Sequence, residues 1–281
     1  MTALKHFNNG FAYLEIENRQ AKAKIALQGA HIFEYTKEGE ASLLWLSQKS
    51  LFENNKAIRG GIPVCFPWFG KNDKGKDLPQ HGFARTMIWD VVLQEDLDEC
   101  TTHIVLRLES NAATKKMWNY DFHVELDFLI GKQLQVSMHI KNCSTIPFDV
   151  TTALHTYFKI SNINKVLLDG LSHNQYYDAL TKKRGTHQDS TGFSQEVDRI
   201  YYAVPNKIYL QDEMRKVEIE SFGAHSLVVW NPWIEKSKHM RDMTPDGYKT
   251  MLCLETANAG DDIVTIHPNQ SHKIGAIYRI V

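Results

Sequence analysis

The chain has 281 residues, 43% hydrophobic and 23% charged, and its 33 acidic and 32 strongly basic side chains leave a formal net charge of -1. That is ample material for a large core, and no basic field exists to draw in nucleic acid or an acidic membrane surface. Four scattered cysteines (Cys65, Cys100, Cys143, Cys253) without C-x-x-C spacing argue against a disulfide framework, and the sequence carries no zinc-type Cys/His motif. Residues 1–10 lack the apolar core of a secretory signal and no later run approaches a membrane span, so the expected setting is the cytoplasm.

Short strand-like runs follow one another: Phe11–Ile16, Lys24–Leu27, His31–Tyr35, then Trp89–Gln94 and Thr102–Leu108. Ser110 to Trp118 predicts a short helix with Ser110 as its cap. From Asp121 to Ile130 apolar Phe122, Val124, Leu126 and Phe128 alternate with polar residues. After Gly131-Lys132, Leu134, Val136, Met138 and Ile140 do the same. This predicts an antiparallel hairpin with one wet face. The stretch from about Leu171 to Asn206 reads as a long irregular loop with a possible helical turn near Ser194–Arg199, the kind of loop that tends to be functional. Val217–Ile219, Leu227–Trp230, Met251–Leu254, Ile263–Ile266 and Ile274–Ile280 complete the strands. There is no βαβ rhythm, repeat or linker. The expected fold is all-β, one large antiparallel β-sandwich spanning residues 1–281 with few short helices.

The P-loop, G-x-G-x-x-G, H-E-x-x-H and G-x-S-x-G patterns are all missing. Chemistry by side chains alone, with no cofactor and no metal, is therefore the expectation. The densest segment is residues 58–89. Arg59 and Arg85 stand beside Gly60, Gly61 and Gly82, among Phe66, Trp68, Phe69, Phe83 and Trp89. A guanidinium fork matches phosphate oxygens, aromatic faces cover sugar C–H surfaces, and glycine lets a ligand approach the backbone. The same block also reads as a buried Gly/Pro-rich loop with two surface arginines. Glu255 closes the run Met251–Leu254 and shares a face with Met251 and Cys253. It is either a carboxylate whose burial poises it as a base or an exposed strand end paired with a lysine. His155, sharing a face with Thr151, Ala153 and Tyr157, is either an acid near working pH or a satisfied interior histidine. Asp198 could orient a ligand hydroxyl, pair with Arg199 or cap a turn. Trp230 and Trp233 read as corner packing, with sugar stacking the alternative.

Taken in order, these segments resemble the glucose-6-phosphate 1-epimerase family, a branch of the aldose 1-epimerase or galactose-mutarotase-like superfamily. The resemblance rests on Ile58–Gly70, Gln80–Arg85 with Trp89, Thr152–Phe158, Val197–Tyr201, Val228–Trp233, Asp242 and Met251–Ala257. It implies a galactose-mutarotase-like supersandwich and a catalytic pair of His155 and Glu255. Arg59, Gln80, Arg85 and Asp198 fall at its substrate-binding positions, the two arginines gripping a 6-phosphate. His81 lies inside the motif without a clear role. The implied reaction interconverts the anomers of a hexose 6-phosphate. Glu255 takes the proton of the anomeric hydroxyl and protonated His155 supplies the ring oxygen. The implied partner is a small sugar phosphate, with neither nucleic acid nor membrane, and the chain is expected as a monomer or weak homo-oligomer. Mutarotation of unphosphorylated aldoses and a non-catalytic sugar-phosphate-binding module are the competing readings.

Overall fold

The computed structural model describes residues 1–72, 77–188 and 192–281. Two eight-stranded sheets dominate, and their strands pair antiparallel. One runs Leu167–Asp169, Lys207–Gln211, Lys216–Phe222, Ser271–Ile280, Leu134–Asn142, Phe122–Ile130, Thr101–Glu109, Asp90–Asp98. The other runs Lys183–Thr186, Gln175–Asp178, Val197–Tyr202, Ser226–Asn231, Met251–Asn258, Thr152–Leu154, Val64–Cys65, with Tyr157–Lys159 also on Met251–Asn258. The first four strands, Thr2–His6 to His31–Lys37, form a sheet of their own. Among the described residues no helix is long and apolar enough to cross a membrane.

The expected hairpin is Phe122–Ile130 and Leu134–Asn142. Its inward side chains, Phe122, Val124, Leu126 and Phe128 with Val136, Met138 and Ile140, are buried in one large cluster. The second sheet meets them with Val197 and Tyr201, Leu227 and Val229, Leu252 and Leu254. Hydroxyls join the layers too: Thr156 Oγ1 lies 2.7 Å from Tyr278 OH, and Ser221 Oγ lies 2.8 Å from Thr256 Oγ1. The second sheet is covered on its other face as well. There Cys65, Ala153, Tyr157, Val228, Trp230 and Cys253 form a separate buried cluster. Alternate residues of Met251–Asn258 thus belong to different interiors.

Three expectations change. The stretch Leu171–Asn206 is not irregular: it contains Gln175–Asp178, Lys183–Thr186 and Val197–Tyr202, while its residues 189–191 lie outside the described ones. Val197–Tyr202 replaces the expected helical turn because it pairs along its length with Ser226–Asn231. The helix Ala112–Met117 is capped by Asn111, whose side chain accepts from Ala113 N and Thr114 N at 2.9 and 3.1 Å. Ser110 instead donates to Asp121. A second helix, Trp233–His239, had no expectation behind it.

The aromatic block also changes role. Phe66, Phe83 and Trp89 are core side chains, not pocket walls. The neighbouring glycines serve backbone packing. Gly60 has φ 120°, and a Cβ there would lie 2.4 Å from Trp45 O; Gly82 has φ 73°, and a Cβ would lie 2.0 Å from Phe66 O. Only glycine fits both constraints. Gly82→Ala is therefore expected to cost at least ~1–3 kcal/mol from the backbone conformation alone, read as a lower denaturant midpoint. A midpoint equal to that of the parent would contradict this packing argument.

Candidate active site

The centre of the site follows from strand register. Leu154 pairs with Thr256 on one side of position 155, and Tyr157 with Cys253 on the other. Thr156 O accepts from Leu254 N between them. The pairing is continuous, so His155 stands directly opposite Glu255, where cross-strand side chains touch. His155 Nδ1 lies 3.3 Å from Glu255 Oε1. The contact is within ion-pair reach but off hydrogen-bond alignment, and Nδ1 and Glu255 Oε2 are buried with no hydrogen-bond partner. Small Ala153 and Ala257, paired with each other one step along the ladder, leave room beside them.

Other elements deliver the rest. The segment after Arg59 runs beside the histidine strand, with Pro63 O accepting from His155 N and Gly61 O from Tyr157 N, both at 2.9 Å. Arg59 therefore enters close to the pair. Its Nε and Nη2 reach Asp242 Oδ2 at 3.1 and 3.0 Å, and its Nη1 donates to Tyr157 OH at 2.8 Å. A second N–H on each terminal nitrogen is left for a ligand. The Tyr157 ring stacks parallel on the His155 imidazole, centroids 4.8 Å apart. Arg85, in the short turn Ala84–Thr86, donates to Gln80 O at 2.8 Å. Asp198 comes from Val197–Tyr202, two strands from Glu255.

These groups line one cavity of about 320 Å³, in the size range of small-ligand pockets. His155 and Glu255 line it together with Arg59, Gln80, Arg85 and Asp198. So do residues to which sequence reasoning gave no firm role. Phe69, Trp230 and Met240 supply apolar wall, and His81 stands across from His155 with ring centroids 5.7 Å apart. His81 Nδ1 accepts from Gly70 N at 3.2 Å, which leaves Nε2 carrying the proton. Lys236, on Trp233–His239, adds a third cation and is bonded to Glu196 at 2.8 Å. Nothing in the sequence pointed to Lys236, since a lysine on a short polar helix has no periodic or motif signal.

Burial governs the charges. It holds the His155 imidazole well below its ordinary 6.5, and the charges of His81, Arg85 and Arg59 push the same way. It holds the Glu255 carboxyl well above its ordinary 4.5, with Asp198 adding and Arg85 opposing. Asp198 itself is raised by burial, Lys236 opposing. His81 is pushed down to about 3, again by burial first. The resting arrangement these forces favour is a carboxylic acid beside a neutral imidazole, one proton held by two groups.

Known proteins agree with this architecture. The sequence pattern of the family described as Aldose 1-epimerase matches residues 13–279. A protein of Escherichia coli (strain K12) named "Putative glucose-6-phosphate 1-epimerase" is 37% identical over 251 residues, 88% of this chain and 83% of its own length. The crystal structure of a "putative mutarotase" from Salmonella typhimurium superposes with a TM-score of 0.92 over 100% of this chain and 93% of its own, at 29% identity. A galactose mutarotase-like protein from Clostridium acetobutylicum, 15% identical, shares the fold alone, with a TM-score of 0.79 over 100% of this chain and 98% of its own. The chain belongs to the aldose 1-epimerase family and has its galactose-mutarotase-like β-sandwich. It is accordingly an isomerase, an epimerase acting on aldoses.

A lowered imidazole pKa means that His155 stays neutral at pH 6.5, where an ordinary histidine is half protonated. Nitrogen-15 NMR of histidine-labelled protein, assigned with His155→Gln, reads this directly. A His155 signal midway through titration at that pH would contradict the electrostatics described.

Proposed function

We propose that the enzyme interconverts the α and β anomers of hexose 6-phosphates, with glucose 6-phosphate as the first candidate. The observation that carries the reading is one cavity with a His–Glu pair at its floor and three cations, Arg59, Arg85 and Lys236, around it. A neutral sugar needs no such rim, whereas a phosphate dianion does. The name of the Escherichia coli relative points to the same substrate. The free thiols of all four cysteines support a cytoplasmic setting.

In the mechanism, Glu255 as carboxylate removes the proton from the anomeric O1 hydroxyl. The C1–O5 bond breaks as C1=O1 forms, and His155 gives its proton to O5. The open aldehyde turns about C1–C2, and closure runs the same transfers backwards onto the other face. Opening therefore carries one proton from His155 to Glu255 through the substrate. Its end point, a carboxylic acid beside a neutral imidazole, is the state that burial already favours. The working state before opening needs His155 charged. A bound phosphate dianion helps by offsetting Arg85 and Arg59, whose charges oppose that protonation. Of the two arginines expected to grip the phosphate, Arg59 is tied to Asp242 and Tyr157 beside the catalytic pair and so faces the sugar with Gln80 and Asp198, which leaves Arg85 and Lys236 for the phosphate. Trp230 and Phe69 offer flat apolar faces for the ring.

The test is exchange NMR between the two anomers of glucose 6-phosphate with and without enzyme. Glu255→Gln and His155→Ala are each expected to lower kcat by roughly 10²–10⁴-fold, the usual worth of a general acid or base. Near-parental exchange in either variant would remove the assigned roles. Arg85→Ala and Lys236→Ala are expected to lower kcat/KM for the 6-phosphate while leaving the low rate on free glucose almost unchanged. Equal losses on both sugars would favour a mutarotase of unphosphorylated aldoses. Tight binding without exchange above background would favour a non-catalytic binding module.

A further inference from the structure

We propose that His155 and Glu255 at the floor of this pocket, together with Cys253 of the buried cluster beside it, also form a binding site for a thiophilic divalent cation of the zinc class, and that the ion inhibits the enzyme there. Cys253 and Glu255 lie two apart on Met251–Asn258 and so share a face, and His155 is cross-strand to Glu255. A ring nitrogen of His155, Sγ of Cys253 and a carboxylate oxygen of Glu255 all lie within 4.8 Å of one another. Zinc bonds of ~2.0–2.3 Å place tetrahedral ligands ~3.3–3.8 Å apart, so small side-chain rotations close the set.

A second observation points to a ligand. His155 Nδ1 and Glu255 Oε2 are buried polar atoms without a hydrogen-bond partner. The residues that carry them are 7% and 1% exposed, and Cys253 is wholly buried. An orphaned pair of this kind is costly unless something satisfies it. A cation does so with one bond to each, and nitrogen, sulfur and oxygen together are the donor set of a borderline-soft metal. The pocket side leaves a fourth position for water, and an ion there occupies both groups the sugar would need. On binding, the Cys253 thiol and the Glu255 carboxyl each release a proton to solvent and each of the three side chains donates a lone pair; nothing is oxidised or reduced. Arg59 and Arg85 stand nearby and oppose the ion, so the site binds a reversible inhibitor rather than a permanent structural metal.

Metal uptake is independent of the function proposed above, and only its inhibitory consequence rests on that reading. Chelator-treated, dialysed full-length protein titrated with Co²⁺ is expected to show the near-ultraviolet thiolate-to-cobalt charge-transfer band, lost again on adding Zn²⁺. Cys253→Ser is expected to abolish the band and Cys65→Ser to keep it. In anomer exchange, Zn²⁺ is expected to inhibit competitively with the sugar. Cys253→Ser is expected to raise the half-inhibiting concentration by more than the ~10–100-fold that loss of an outer-shell partner alone costs, while its metal-free turnover is unchanged. A band that never appears, or that survives in Cys253→Ser, overturns the site. Should that variant fold poorly, anomalous diffraction at the zinc edge from Zn²⁺-soaked crystals of the unaltered protein decides. A peak among these three side chains supports the site, and its absence overturns it.

Discussion

Continuous register between two neighbouring stretches of chain is the constraint on which the site depends. The strands Thr152–Leu154 and Tyr157–Lys159 are interrupted only at His155 and Thr156, and the pairing with Met251–Asn258 keeps the same register on both sides. A slip of one residue would turn Glu255 into the main core and bring Leu254 or Thr256 into the pocket. The register is pinned on both faces at once. Leu252 and Leu254 are locked into the main core, and Cys253 and Ala257 into the second cluster. Neighbouring ladders to Ser226–Asn231 and to Val64–Cys65 hold the strand pair from either side. A buried carboxylate is therefore kept in place by apolar packing that it does not itself contribute to.

This arrangement also separates two jobs that one aromatic-rich segment could have performed. Phe66, Phe83 and Trp89 fill the main core, and their glycine neighbours let backbones cross closely. Of that segment's phenyl and indole side chains only Phe69 lines the pocket, where Trp230 of Ser226–Asn231 supplies the other flat wall. Arg59 and Arg85 reach the cavity from beside Gly60 and Gly82, where the backbone packs closely on Trp45 and Phe66. Asp242 and Tyr157 then fix the Arg59 guanidinium, and through the stacked Tyr157 ring the plane of the imidazole is fixed as well. A fork held in advance loses little freedom when a ligand arrives.

What was legible in the sequence divides along physical lines. The hairpin Phe122–Asn142 could be read because one face is wet, and its alternation was written in polar and apolar letters. Met251–Asn258 is buried on both faces, so its pattern carried no period, and Glu255 looked like an end where the strand in fact continues to Asn258. Gln175–Asp178 and Lys183–Thr186 were missed because they are short and polar at the sheet margin. Glu255 was singled out by its apolar strand and His155 by its small and hydroxyl-bearing neighbours, but a hundred residues separate them. Only the resemblance to a family joined them before the register did. Lys236 escaped both routes, since its place depends on how a seven-residue helix sits over Trp230.

The proton inventory of the pocket explains why a site this buried can still work in both directions. Acid and base that exchanged protons with solvent at every turnover would need an open path, and an open path would let water weaken each interaction. Here burial acts oppositely on the two groups, lowering one and raising the other. The total of one proton is therefore stable, and at rest it sits on Glu255. In the proposed mechanism, ring opening moves it one way through the sugar and closure moves it back. Asp198 tightens this balance, because its charge disfavours a second carboxylate nearby and so keeps the proton within the pair. The anionic end of a substrate would do the reverse work on the imidazole by cancelling part of the guanidinium field. On the proposed reading, the phosphate is then more than a handle. Its arrival makes the charged pair accessible, which ties recognition at the rim to chemistry at the floor.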